Sequence, residues 1–173
     1  MKVKNTLYTK DEVARILGAS FIHKFDAYEE KFFEIYDKLY LFDGISKSDV
    51  QELTKDITFK RYKKGDVIIQ EGDKGEDIFF ILYGKVAVVV GNKRVASTIN
   101  SGSMFGEIAF LTKKPRGATI IAYSQSTAII SFKIDTQRFS QLLSYPFAKL
   151  YQNISLDLAK KLELQNSKLL HTK

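Results

Sequence analysis

Two charged residues stand out by type and spacing. Glu107 follows Gly106, and Arg116 follows Pro115, within the stretch NSGSMFGEIAFLTKKPRG that fills residues 100–117. A short helix beginning near Gly106 would leave its first backbone N–H groups without intrahelical partners. Those groups and the helix dipole attract an anion. Gly106 lets a ligand approach the backbone closely, because it carries no Cβ. Arg116 offers a planar fork of donors that matches a phosphate. Glu107 only accepts when ionised, so it suits a hydroxyl rather than a phosphate. A ligand with one phosphate and one free sugar hydroxyl would satisfy both side chains. The plainer alternatives are a surface pair between Glu107 and Lys113 and a solvated Arg116.

These residues need a scaffold, and the texture of the chain suggests one. Residues 1–56 read as helical. Residues 57–134 hold eight of the ten glycines and most of the β-branched runs, and residues 135–170 return to helical texture. Helices segregated from strands imply an α+β class. Thr9 and Glu12 have capping-box spacing for a first helix ending at Gly18. Phe21, Phe25, Tyr28, Phe32, Ile35, Tyr36 and Leu39 repeat at three and four, which predicts a second helix over 20–41. Ser46 is the expected N-cap of a third helix over 46–56. Short apolar runs at 57–62, 67–70, 77–83, 85–90, 94–99, 118–124 and 127–133 read as strands separated by Gly-rich turns. Without helices between them, they fit a jelly roll better than parallel units. The segment 100–117 is too long for a hairpin loop and interrupts this pattern. After Pro146, the spacing of Phe147, Leu150, Tyr151, Ile154, Leu158 and Leu162 predicts a closing helix.

Composition narrows the function classes. The 173 residues contain no Cys, which excludes disulfides, thiolate metal sites and cysteine nucleophiles. No apolar run is long enough to span a bilayer as a helix, and the first residues lack a signal-peptide core. A soluble, cytoplasmic protein is expected. The net charge of +7 favours anionic partners without choosing among them. His23 and His171 form no triad or metal cluster, so no enzyme is expected and no cofactor is implied. The acidic group Glu71, Asp73, Glu76 and Asp77 reads as a solvated turn.

The segment Phe105-Gly106-Glu107-Ile108-Ala109, followed by Pro115-Arg116-Gly117-Ala118-Thr119, resembles the phosphate-binding cassette of cyclic nucleotide-binding domains. The likeness extends upstream through Lys64-Gly65-Asp66-Val67-Ile68, Glu71-Gly72-Asp73 and Phe80-Ile81-Leu82-Tyr83-Gly84-Lys85-Val86. It implies an eight-stranded antiparallel β-roll with N-terminal helices and a C-terminal helix. The expected divisions are 1–45 (helical extension), 46–145 (the roll) and 146–173 (lid or dimerisation helix).

The resemblance also implies roles. Glu107 would accept from the ribose 2′-hydroxyl, and Arg116 would pair with the cyclic phosphate. The N–H groups of Ile108, Ala109 and Ala118 would complete the cradle, with Gly106 allowing the approach. Gly117 and Thr119 belong to the same motif. Val88 or Val89, with Ile99, would meet the base. Arg116→Ala would abolish binding and leave the fold intact. Related domains that favour cGMP often have Thr directly after the Arg, and Gly117 there favours cAMP, with cGMP as the other ligand to consider. Residues 154–163 would lie nearest the ligand and pass its arrival to a protein partner or a second copy through the helical ends. With the chain ending at Lys173, no helix-turn-helix, channel segment or kinase is expected after the closing helix. A DNA-binding regulator remains an alternative, because residues 8–20 faintly resemble a helix-turn-helix start. So do a cyclic-dinucleotide receptor and a degenerate, non-binding scaffold.

Overall fold

The computed structural model describes residues 32–91, 95–136 and 145–170. Expectations that fall on residues 1–31, including the Thr9 cap, the helix-turn-helix likeness at 8–20 and His23, lie outside the described residues, as does His171. The described elements are α1 (Lys47–Leu53), β1 (Thr54–Lys63), β2 (Val67–Ile69), β3 (Ile78–Tyr83), β4 (Lys85–Val89), β5 (Val95–Asn100), β6 (Met104–Phe105), α2 (Glu107–Thr112), β7 (Thr119–Ala122), β8 (Ser126–Ile134) and α3 (Tyr145–Leu170). The strands form two antiparallel four-stranded sheets, ordered β1-β8-β3-β6 and β2-β7-β4-β5. Seven strands follow the hydrophobic runs. The eighth, β6, is only Met104 and Phe105, and pairs with Phe80 and Phe79 of β3.

The alternation of a strand places side chains on two faces, and both faces of the central strands β8 and β3 of the first sheet are largely buried. Ile78, Phe80 and Leu82 of β3, with Ala128, Ile130, Phe132 and Ile134 of β8, pack against the helices in the larger core. Ile81 and Ile129 point the other way, into a smaller core between the sheets, with Ile69, Val86, Phe105 and Ile120. This explains why β3 and β8 read as continuous apolar runs rather than alternating ones.

The helical entry differs from expectation. In the described part of the predicted 20–41 helix, Phe32 and Phe33 are helical, and the chain then makes two 3₁₀ turns, Tyr36–Lys38 and Tyr40–Phe42, with Leu39 extended between them. Leu39, Leu41 and Phe42 are all buried. Residues two apart sit on nearly opposite faces of an α-helix, so burying Leu39 and Leu41 together requires the helix to break. The α1 helix is also shorter than 46–56. Ser46 caps it by accepting the Asp49 N–H, and β1 takes over at Thr54, whose hydroxyl donates to the Val50 carbonyl. An irregularity in the β1–β8 register between Lys55 and Thr58, with Asp56 at φ +53°, lies inside the strand.

The α3 helix lies across the helical face. Leu150 and Ile154 are fully buried, and the Asn153 amide donates to the Leu41 and Asp43 carbonyls, fastening the second 3₁₀ turn to it. Beyond Lys161 the helix runs into solvent, with Leu162 and Leu164 exposed.

Candidate functional site

The site is built where β6 passes into α2. Gly106 is the N-cap of α2 and has φ +87°, a left-handed conformation that costs a residue with a Cβ. A Cβ there would also lie 2.9 Å from the Asp77 carbonyl oxygen, 3.0 Å from Arg116 Nη1 and 3.0 Å from the Phe79 ring. Glycine is required twice over, by conformation and by space.

Arg116 closes around this glycine. Its Nη1 donates to the Gly106 carbonyl and its Nη2 to the Asp77 carbonyl, both at 3.0 Å. The Asp77 carboxylate stands 3.6 Å from Nη2. The guanidinium carbon lies 5.4 Å from the centre of the Phe79 ring, and that ring stacks on Phe105 at 5.0 Å. The Arg116 main chain is fixed too. Its N–H donates to the Asp73 carbonyl, and its carbonyl accepts from the Gly72 N–H. Burial lowers the pKa of the guanidinium, and the charges of Asp77, Asp73 and Glu107 oppose that shift. Arg116 is therefore no solvated loop residue. It is part of the frame, with two of its five N–H groups committed to backbone carbonyls.

Glu107, the first residue of α2, is only 4% exposed. It does not pair with Lys113, which binds Glu76 instead. Its carboxylate accepts from Lys161 of α3, Nζ to Oε1 at 2.7 Å. Lys161 also donates to the Met104 carbonyl at 2.8 Å and stands 2.7 Å from Asp157 Oδ2. That last approach is a charge contact off the line of a hydrogen bond. The other Asp157 oxygen accepts from the Tyr40 hydroxyl at 2.7 Å, and that hydroxyl accepts the Met104 N–H at 3.2 Å. Burial first, and then Asp157, push the Tyr40 pKa far above its ordinary value.

The remaining sequence candidates divide by position. Ile108 is exposed and Ala109 buried at the start of α2, where the first N–H groups lack intrahelical partners. Val88, Ile99 and Ala118 are partly buried and pack together against the smaller core that contains Phe105. Val89 is half-buried at the end of β4, opposite Val95. Gly117 is exposed, with no atom near the place of a Cβ. The Thr119 hydroxyl oxygen accepts from the Glu71 N–H and the Gln70 side-chain amide, so it secures the loop before β3.

Sequence reasoning missed several participants. Asp77 and Asp73 sat in a turn read as solvated, yet their carbonyls hold Arg116. Lys161 lies inside the stretch 154–163 expected near the ligand, but nothing singled it out. The Asp157–Lys161 spacing of four on a helix was the available signal. Tyr40 carried no local signal, because its partners are distant in sequence. Among the described residues, no group of His, Asp and Glu is placed to hold a metal ion, and no helix is long and apolar enough to cross a membrane.

The model of the cyclic nucleotide-binding domain matches residues 59–145. The chain is 32% identical over 143 residues to a cGMP-dependent protein kinase of Toxoplasma gondii, covering 83% of this chain and 14% of that protein. It is 32% identical over 135 residues to a cAMP-dependent protein kinase regulatory subunit of Dictyostelium discoideum, covering 74% of this chain and 39% of that protein. The chain thus spans a minor part of the length of these relatives. The solved structure of a putative cyclic nucleotide-binding protein from Geobacter metallireducens shares the fold, with a TM-score of 0.62, 15% identity and coverage of 75% of this chain and 96% of that one.

Proposed function

Because the chain belongs to the cyclic nucleotide-binding domain family, we propose that it is a receptor for a cyclic nucleotide, with cAMP as the ligand, and that binding moves α3 to engage or release a protein partner. The observation that carries this reading is the joining of Glu107 and Arg116 through Gly106. Arg116 Nη1 bonds the carbonyl of the residue directly before Glu107. An anion-seeking fork and a hydroxyl-seeking carboxylate therefore flank one stretch of close-approach backbone. A cyclic phosphodiester fused to a ribose presents an anion for the one and a hydroxyl for the other. Val88, Ile99 and Ala118 offer an apolar wall for the base. The role is binding rather than catalysis.

The names of the two relatives point to different nucleotides, so the base is argued from this chain. Gly117 offers no hydroxyl to a guanine amino group. The Thr119 oxygen, the next available, is turned to the Gln70–Glu71 segment. Both features favour adenine. The partner role rests on α3, which touches the site through Lys161 and continues into solvent with exposed leucines. A ligand shifts such a helix only if it binds two arrangements unequally.

Calorimetry with cAMP, cGMP, a cyclic dinucleotide and AMP tests the reading. cAMP should bind with about micromolar affinity, near 8 kcal/mol, and tighter than the other three. Amide exchange over 147–170 should change on cAMP addition. Binding of cGMP tighter than cAMP would overturn the base preference, and identical exchange would overturn the coupling. No heat with any of the four would end the receptor reading.

A further inference from the structure

The Glu107 carboxylate is almost fully buried, and an ionised carboxylate in that position requires a cation or a set of donors. The basic residue nearest to it in sequence, Lys113, is bound to Glu76 on the surface. The cation comes instead from another element. Lys161 reaches from α3 to Glu107 Oε1 and to the Met104 carbonyl, one on each side of Gly106. Lys161 is itself held. Asp157, one helical turn earlier, stands against its ammonium, and the Tyr40 hydroxyl fixes Asp157 from the 3₁₀ turns. With Oε1 committed to Lys161, the carboxylate still has Oε2, whose lone pairs can accept from a hydroxyl.

We infer that Lys161 is a positioning residue for sugar recognition: it holds Glu107 oriented so that its second oxygen takes the ligand's 2′-hydroxyl. The inference rests on the reading of Glu107 as the ribose acceptor. It assigns the α3 lysine to discrimination between ribose and deoxyribose rather than to phosphate capture. Arg116 and the α2 backbone handle the phosphate without it. Loss of Lys161 should therefore weaken the ribose ligand selectively.

The test measures affinity for cAMP and for 2′-deoxy-cAMP in the full chain, as wild type, Lys161→Met and Lys161→Arg. A hydrogen bond to a charged group makes wild type prefer the ribose form by about tenfold or more. Lys161→Met should bring that ratio to within about threefold of unity, while affinity for 2′-deoxy-cAMP stays within about threefold of wild type. Lys161→Arg, which keeps a cation, should recover part of the ratio. An unchanged ratio in Lys161→Met overturns the inference. So does an equal loss of both ligands in a folded variant, because that pattern belongs to a general structural or phosphate role. Should Lys161→Met fail to fold, Asp157→Asn retains the ammonium and removes its second carboxylate. It should lower the same ratio by a smaller factor, and no change there overturns the inference. If wild type binds both nucleotides but shows no preference between them, the Glu107 assignment is wrong while the receptor reading stands. If wild type binds neither nucleotide, the receptor reading falls and takes this inference with it.

Discussion

Replacing Arg116 with alanine should produce two separable losses, because the side chain has two sets of neighbours. Toward the interior it donates to the Gly106 and Asp77 carbonyls and covers the Phe79 ring. A hydrogen bond involving a charged group contributes roughly 1.5–3 kcal/mol net. Both carbonyls are partly buried, and water can enter the space left by alanine, so the lower end applies. Two bonds then amount to about 3 kcal/mol of folding stability. A domain with the usual margin of about 5–15 kcal/mol remains mostly folded after such a loss. Toward the ligand, removing the only proposed cationic partner of the phosphate should weaken cAMP by at least about tenfold. Denaturant unfolding with linear extrapolation reads the first loss, and calorimetry on the folded variant reads the second. Unchanged cAMP affinity would refute the phosphate role. Unchanged unfolding free energy would refute the framing role, and would restore the simpler expectation that the variant leaves the fold untouched. Lysine at 116 separates the two further. It keeps the charge but lacks the planar fork, so it should recover some cAMP affinity and little of the stability.

Gly117→Thr should fold normally, since no atom lies within 4 Å of the Cβ position and the backbone there is outside the left-handed region. The new hydroxyl should shift the cAMP/cGMP affinity ratio toward cGMP by about fivefold or more, at the level of one neutral hydrogen bond; competition between the two nucleotides measures it, and an unmoved ratio would remove position 117 from base selection. The raised pKa of Tyr40 means that the folded chain holds its phenolic proton more tightly than the unfolded chain. That stability is fully present below the ordinary tyrosine pKa of about 10 and is lost as pH rises above it. Denaturant unfolding from pH 9 to 11 should show a steeper decline for wild type than for Tyr40→Phe, and parallel declines would contradict the buried environment of that hydroxyl.

The legibility of this chain in its sequence tracks how local each interaction is. The α1 cap at Ser46 depends on atoms three residues away, and the α+β roll depends on hydrophobic runs and glycine turns, so both were readable. The meeting of the Gly106–Glu107 and Pro115–Arg116 pairs, where Arg116 bonds the Gly106 carbonyl, was readable from residue type and short spacing. The β6 strand was not readable. Two residues cannot display a period, and Met104 and Phe105 are paired only because β3 lies beside them. The 3₁₀ turns were misread as helix because the aromatic spacing at 21–39 fits a helical stripe. What breaks the pattern is the joint burial of Leu39, Leu41 and Phe42 against a sheet and a helix formed much later in the chain. Asp77 was misread for a related reason. It acts through its backbone carbonyl as well as its carboxylate, and a carbonyl has no signature in residue type.

The same distinction bears on how the site connects to the rest of the molecule. From the proposed phosphate end, the contacts run Arg116 to Gly106, along one peptide to Glu107, across to Lys161, then to Asp157 and Tyr40. The path passes through four parts of the fold: the strap before β7, the start of α2, the helix α3 and the 3₁₀ turns. Tyr40 and Lys161 both return to Met104, one through its N–H and the other through its carbonyl. The two-residue strand β6 is thereby held by β3 on its sheet edge and by this polar cluster at its backbone. A shift of α3 that withdraws Lys161 would strip Glu107 of its cation and Met104 of a donor in one movement. Because a buried carboxylate is costly without a partner, such a shift is opposed unless other donors reach Glu107. In the proposed complex the ribose hydroxyl joins Lys161 on Glu107 rather than replacing it, so the ligand and the helix would act on the same few atoms. Coupling between nucleotide and α3 then needs no long pathway through the roll.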